Sequence, residues 1–93
     1  MENERRKNMK VFYAAVRNLI DFDISDCVIV ARTYESAEKK LRKEYNRVFA
    51  YYEFELNELD DSKAKEYFMK YPDCKCAGIY NNAPCDYAYK VFI

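Results

Sequence analysis

The chain has 93 residues, 16 basic and 16 acidic side chains, no histidine and a single glycine, Gly78. That size is one domain with one modest core, and a formal charge of zero argues against general affinity for nucleic acid or membrane. Without histidine the chain lacks the commonest general base and the commonest zinc ligand, and one glycine cannot build a phosphate-cradling loop.

Charge is uneven along the chain. Residues 1–47 carry 11 basic and 8 acidic side chains, and residues 48–93 carry 5 and 8. No run approaches the roughly 20 apolar residues of a membrane span. The polar start, Met1 to Met9, has no apolar signal region behind it. These features predict a cytoplasmic protein whose four cysteines are thiols.

Met1 to Asn8 is charged and aperiodic, and reads as a flexible tail before a single domain over 9–93. Met9 to Ile20 fits two patterns. Met9, Phe12, Tyr13, Val16, Leu19 and Ile20 fall on one helical face. Phe12, Ala14 and Val16, followed by Ile20, Phe22 and Ile24, alternate as in a strand. The strand is preferred, because Val, Phe and Tyr suit pleated surfaces. The continued alternation through Asp21 and Asp23 also supports it, as does the antiparallel neighbour it offers to the next segment.

Cys27 to Ala31 is a buried strand. Thr33 offers a hydroxyl N-cap, and Tyr34, Ala37, Leu41 and Tyr45 recur at helical spacing. Lys39, Lys40, Arg42 and Lys43 occupy the opposite face of this helix, 34–46. Val48 to Leu56 switches to a period of two. Val48, Ala50, Tyr52, Phe54 and Leu56 share one face; Phe49, Tyr51, Glu53 and Glu55 share the other. An acidic connector, Asn57 to Ser62, leads into a helix whose buried stripe is Ala64, Tyr67, Phe68 and Tyr71, stopped by Pro72. Ala77 to Tyr80 is a short strand, Asn81 to Pro84 a turn, and Cys85 to Ile93 an alternating last strand.

The predicted order is ββαβαββ, or αβαβαββ if the first segment is a helix. This is an α+β two-layer sandwich, with a mostly antiparallel sheet and two helices on one face. A second class of reading is self-association as a homodimer through an open sheet edge, with Val11 or Val91 on the exposed strand.

Three constellations carry chemistry. Cys74-Lys75-Cys76, with Cys85 further on, is the nearest approach to a metal site. Its C-x-C spacing is not a zinc ligand spacing, and alternate strand residues point to opposite faces. Small buried hydrophobes explain these cysteines better, so no metal and no cofactor is predicted. A disulfide from Cys76 to Cys85 across the turn would not persist in a reducing compartment.

Ten tyrosines and six phenylalanines supply more ring surface than a core this small hides. Phe49 and Tyr51, joined by Tyr87 and Tyr89, could stack on unpaired bases. The neighbouring Glu53 and Glu55 would repel phosphates. The preferred reading is a non-enzymatic protein–protein contact surface of Phe49, Tyr51, Glu53, Glu55, Glu58, Asp60 and Asp61. One concrete form is a virus- or mobile-element-encoded inhibitor of a host nucleic-acid enzyme, acting by acidic mimicry. The alternative is single-stranded nucleic-acid binding through Lys39, Lys40, Arg42 and Lys43. Against it, Glu38 and Glu44 interrupt this cluster, as on a solvated helix face.

Overall fold

The first strand, β1 (Lys10–Asn18), is apolar on both sides, and that property arranges the rest of the molecule. Val11, Phe12, Ala14, Ala15 and Val16 are all buried. The computed structural model describes residues 9–45, 51–83 and 87–92. The two-sided burial explains why the segment fits a helix as well as a strand. A central strand covered on both faces is a continuous apolar run, which periodicity alone does not separate from a helix.

β1 turns into β2 (Ile24–Ala31), pairing antiparallel from Lys10↔Ala31 to Arg17↔Ile24. After α1 (Tyr34–Glu44), β3 (Tyr52–Glu58) pairs with the other side of β1, from Phe12↔Glu58 to Asn18↔Tyr52. α2 (Asp61–Lys70) follows, then β4 (Gly78–Tyr80) against β2, and finally α3 (Tyr87–Phe92). The sheet order is β3-β1-β2-β4, with every neighbour antiparallel. β2 and β3 run the same way with β1 between them, so α1 carries the chain across β1. The α+β class and the antiparallel sheet are as the sequence predicts.

Helix starts follow local chemistry. Thr33 accepts from the Ser36 N–H at 3.0 Å and caps α1; Asp60 accepts from the Lys63 N–H at 2.8 Å and caps α2. α2 ends at Tyr71, just before Pro72.

The helices do not share one face. Ala37 and Leu41 of α1 pack with Phe12, Ala14, Val16, Cys27, Ile29 and Ala31. Ala64 and Tyr67 of α2 pack with Val11, Val28 and Val30. These positions alternate along β1 and β2, so the two helices cover opposite faces. The expected two-layer packing is thereby corrected to a sheet between helices. The cause is the same two-sided apolar character, because each face of β1 and β2 needs its own cover.

The last segment is also corrected. Tyr87 to Phe92 is a helix, not a strand, so the sheet has four strands among the described residues. Ala88, Val91 and Phe92 fit helical spacing as well as the alternation fits a strand. Tertiary contacts decide between them. Ala88 is buried on the sheet, and its N–H donates to Asp26 Oδ2 on β2 at 3.2 Å. The Asn57 amide donates to the Tyr87 hydroxyl at 2.7 Å. α3 therefore shares the α2 face. Val91 lies on a helix and Val11 on a central strand, so neither is on a sheet edge; the edges are β3 and β4. Residues 1–8, together with Val48, Phe49, Ala50, Pro84, Cys85, Asp86 and Ile93, lie outside the described residues, and with them the expected tail and parts of two expected strands.

Candidate partner-binding surface

The alternation read through Ile20 and Phe22 is in fact a hairpin loop, and Ile24 begins β2. Asn18 N–H donates to the Asp23 carbonyl and Phe22 N–H to the Asn18 carbonyl, both at 2.8 Å. The Asn18 side-chain oxygen accepts from Ile20 N–H at 2.8 Å, and Asp21 Oδ1 accepts from Asp23 N–H at 3.0 Å. Four-residue hairpin loops close with one residue in the left-handed region, normally glycine or asparagine. Here that residue is Phe22, at φ 63°. A bulky side chain in this conformation costs roughly 1–2 kcal/mol. The side chains of Asn18 and Asp21 add turn bonds to the two backbone ones.

The loop exposes what the strands bury. Ile20 and Phe22 are each 68% exposed, and Leu19 is exposed beside them. Leu19 N–H donates to the Tyr51 carbonyl at 2.7 Å, which ties the loop to the residue before β3. Tyr51 is itself 52% exposed. Of the seven large apolar side chains exposed among the described residues, four therefore stand at one end of the sheet. Asp21 and Asp23 lie among them and are exposed.

The expected acidic row does not stay together. Phe49 lies outside the described residues. Tyr51 is on the surface just described. Glu53 forms an ion pair with Arg17, whose guanidinium also lies 4.9 Å from the Phe92 ring centre. Glu55 is exposed on the same side of β3. Glu58 points to the other side and pairs with Lys10 at 3.6 Å. Asp60 is spent as the α2 cap, and Asp61 opens that helix. Along β3 the groups are about 10 Å apart at their nearest members, Glu55 and Glu58, at 3.3 Å per residue, and those two point to opposite sides of the sheet. Tyr51, Glu53 and Glu55 thus stand apart from Glu58, Asp60 and Asp61. Leu19, Ile20 and Phe22 belong with the first group. Their only sequence signal is three large apolar residues around the turn-forming Asn18 and Asp21.

Most of the ring surface is packed. Tyr45, Tyr52 and Phe54 cluster at the rim of the α1 face, with Tyr45 and Tyr52 ring centres 4.6 Å apart. Tyr67, Phe68 and Tyr71 cluster on the other face. Tyr87 meets Tyr13 edge-on at 5.3 Å. Tyr87 and Tyr89 ride on α3, which covers the sheet, so an open sheet face carrying them for base stacking is not formed. Lys39 and Lys43 are exposed along α1 and Lys40 is half-buried, while Arg42 reaches the groove beside β3 and pairs with Glu38 at 3.6 Å.

Two further places have chemical potential. A groove of about 480 Å³ is lined by Tyr13, Tyr67 and Tyr71 with Lys63, Glu66 and Lys70. The Tyr67 hydroxyl donates to Asn82 Oδ1 at 2.7 Å, and the Asn82 amide faces Cys74 Sγ at 3.4 Å. Burial pushes the Tyr13 and Tyr67 hydroxyls above the ordinary tyrosine range, so both stay protonated at neutral pH. Burial, then Asp26 and Glu44, pushes the Cys27 thiol up to about 11. Cys74 is half-buried, Cys76 is exposed, and Cys85 lies outside the described residues. Among the described residues no three His, Cys, Asp or Glu side chains are placed to hold a metal ion. Nor is any helix long and apolar enough to cross a membrane.

Compared with known protein families, curated proteins and solved structures, the chain gives no match.

Proposed function

We propose that this chain is a small protein-binding module that docks through the loop end of its sheet, with Ile20, Phe22 and Tyr51 as anchors and Asp21, Asp23 and Glu53 as an acidic rim. The observation that carries the reading is Phe22. Its backbone is strained and its ring is exposed, so it is unfavourable twice over in the free protein. Aromatic and aliphatic anchors with a charged surround are the anatomy of protein interfaces. Acidic mimicry of nucleic acid is the weaker form of this reading. Glu53 and Glu58 already share ion pairs, and Asp60 is bound as a cap.

Photo-crosslinking tests the placement. A photoreactive residue in place of Ile20, and separately in place of Lys43, would be expressed in the cell that makes the protein. A protein adduct from position 20 and none from position 43 is the expected outcome. An adduct from position 43 alone, above all one with RNA, would shift the binding surface to the basic helix.

A further inference from the structure

Among the described residues, β3 is the longer edge strand of the sheet, with no strand on its outer side. Its pairing with β1 is unbroken, and hydrogen bonds just beyond both ends show which backbone groups are used. Leu19 N–H bonds the Tyr51 carbonyl, and Leu59 N–H bonds the Val11 carbonyl, at 2.7 and 2.8 Å. In an antiparallel ladder, hydrogen-bonded and non-bonded pairs alternate. The bonded pairs are thus those of Tyr51, Glu53, Glu55, Asn57 and Leu59. Tyr52, Phe54, Leu56 and Glu58 direct their N–H and C=O away from β1, towards the edge.

Side chains beside this edge sort by face. On the α1 side, Phe54 and Leu56 border a groove of about 220 Å³ that Tyr34, Glu38, Leu41 and Arg42 close from the helix. On the other side stand the carboxylates of Glu53 and Glu55. Glu53 is shared with Arg17, and Glu55 has no counter-charge among the described residues.

We infer that β3 accepts an extended strand from a protein partner, one that alternates apolar residues towards the α1 groove with lysine or arginine towards Glu53 and Glu55. The inference rests on the protein-binding reading above and specifies the partner. Main-chain bonds to an open edge supply affinity, and side chains at every second position supply selectivity. Charge decides the occupant. A second copy of β3 in the fully overlapping antiparallel register sets Glu55 opposite Glu55; shifted by two residues, it sets Glu53 opposite Glu55. Like charges directly opposite each other destabilise a pair, and opposite charges stabilise it. The acidic edge therefore resists its own copy and favours a basic strand, as charged edges do in proteins that avoid edge-to-edge aggregation.

A blocked nine-residue peptide alternating valine and lysine is the probe, followed by residue-resolved amide exchange of the full chain. The expected result is slowed exchange at Tyr52, Leu56 and Glu58, with Glu53, Glu55 and Asn57 unchanged because they already bond β1. Glu55→Lys should weaken binding about fivefold and turn the preference towards a valine–glutamate peptide. A peptide with central proline should lose binding, since it keeps the charge but not the ladder. Equal binding of the proline peptide, binding that leaves the three edge amides unchanged, or no binding overturns the inference. So does protection of those amides at high protein concentration without peptide, which would mark self-pairing. If crosslinks at Ile20 persist while the edge amides stay unchanged, the docking reading stands and strand addition falls; if neither responds, both fall.

Discussion

The body and the tip of the β1–β2 hairpin are built from the same kinds of residue and treat them in opposite ways. In the body, Val11, Phe12, Val16, Val28, Ile29 and Val30 are sealed between helices. At the tip, Leu19, Ile20 and Phe22 stand in solvent, and one of them holds a left-handed backbone. Apolar residues in the body stabilise the fold by leaving water. Those at the tip gain nothing of the kind in the free protein. The contrast divides the hairpin into a part that folds the domain and a part that is available to something else.

The strongest break of this contrast is in the body. Phe12→Ala removes a fully buried ring from the α1 face and is expected to cost about 4 kcal/mol. Denaturant unfolding measures it; a loss below about 1 kcal/mol would mean the core is not where the burial places it.

The body also predicts a pH dependence. Cys27 has its pKa raised from an ordinary 9.0 to about 11, chiefly by burial. The unfolded chain releases this proton first as pH rises, so the folded state holds more protons between these values and stability falls with rising pH. The contribution is complete below pH 9 and lost towards pH 11. Cys27→Val should flatten the decline seen in alkaline unfolding curves. An unchanged slope would assign the decline to other groups, such as Tyr45 and Tyr67, whose hydroxyls burial also raises.

At the tip the expected change in stability is small. Ile20→Ser should shift unfolding by no more than about 0.5 kcal/mol, while abolishing partner capture. A large loss of stability would show that the tip belongs to the folding part after all.

Much of this architecture was legible in the residues. Thr33 as a cap, Ala37 and Leu41 as a buried stripe, Pro72 as a stop and Cys27–Ala31 as a buried strand all follow from local chemistry. The parts that were not legible depend on distant partners. Tyr87 to Phe92 satisfies both periodicities, and only Asp26, Asn57 and Tyr13, far away in the chain, select the helix. The placement of helices on both faces was written in the two-sided apolar run of β1, but that same run also fits a helix. The loop was hidden because Phe22 holds the left-handed position that a glycine or asparagine usually marks. Of the proposed surface, Tyr51, Glu53 and Glu55 were readable from alternation. Leu19, Ile20 and Phe22 were not, since an apolar residue in a turn looks like one more strand position. The ring surplus proved smaller than composition implies, because Tyr45, Tyr52, Phe54, Tyr67, Phe68 and Tyr71 pack in two rim clusters.

Phe22→Gly separates folding from docking in a single variant, because glycine suits φ 63° and has no ring. Its unfolding free energy and its capture of the native protein partner would be measured together. Unchanged stability, or a gain of up to about 1 kcal/mol, with loss of the partner is the predicted result. Full partner capture by the Phe22→Gly protein would contradict the account.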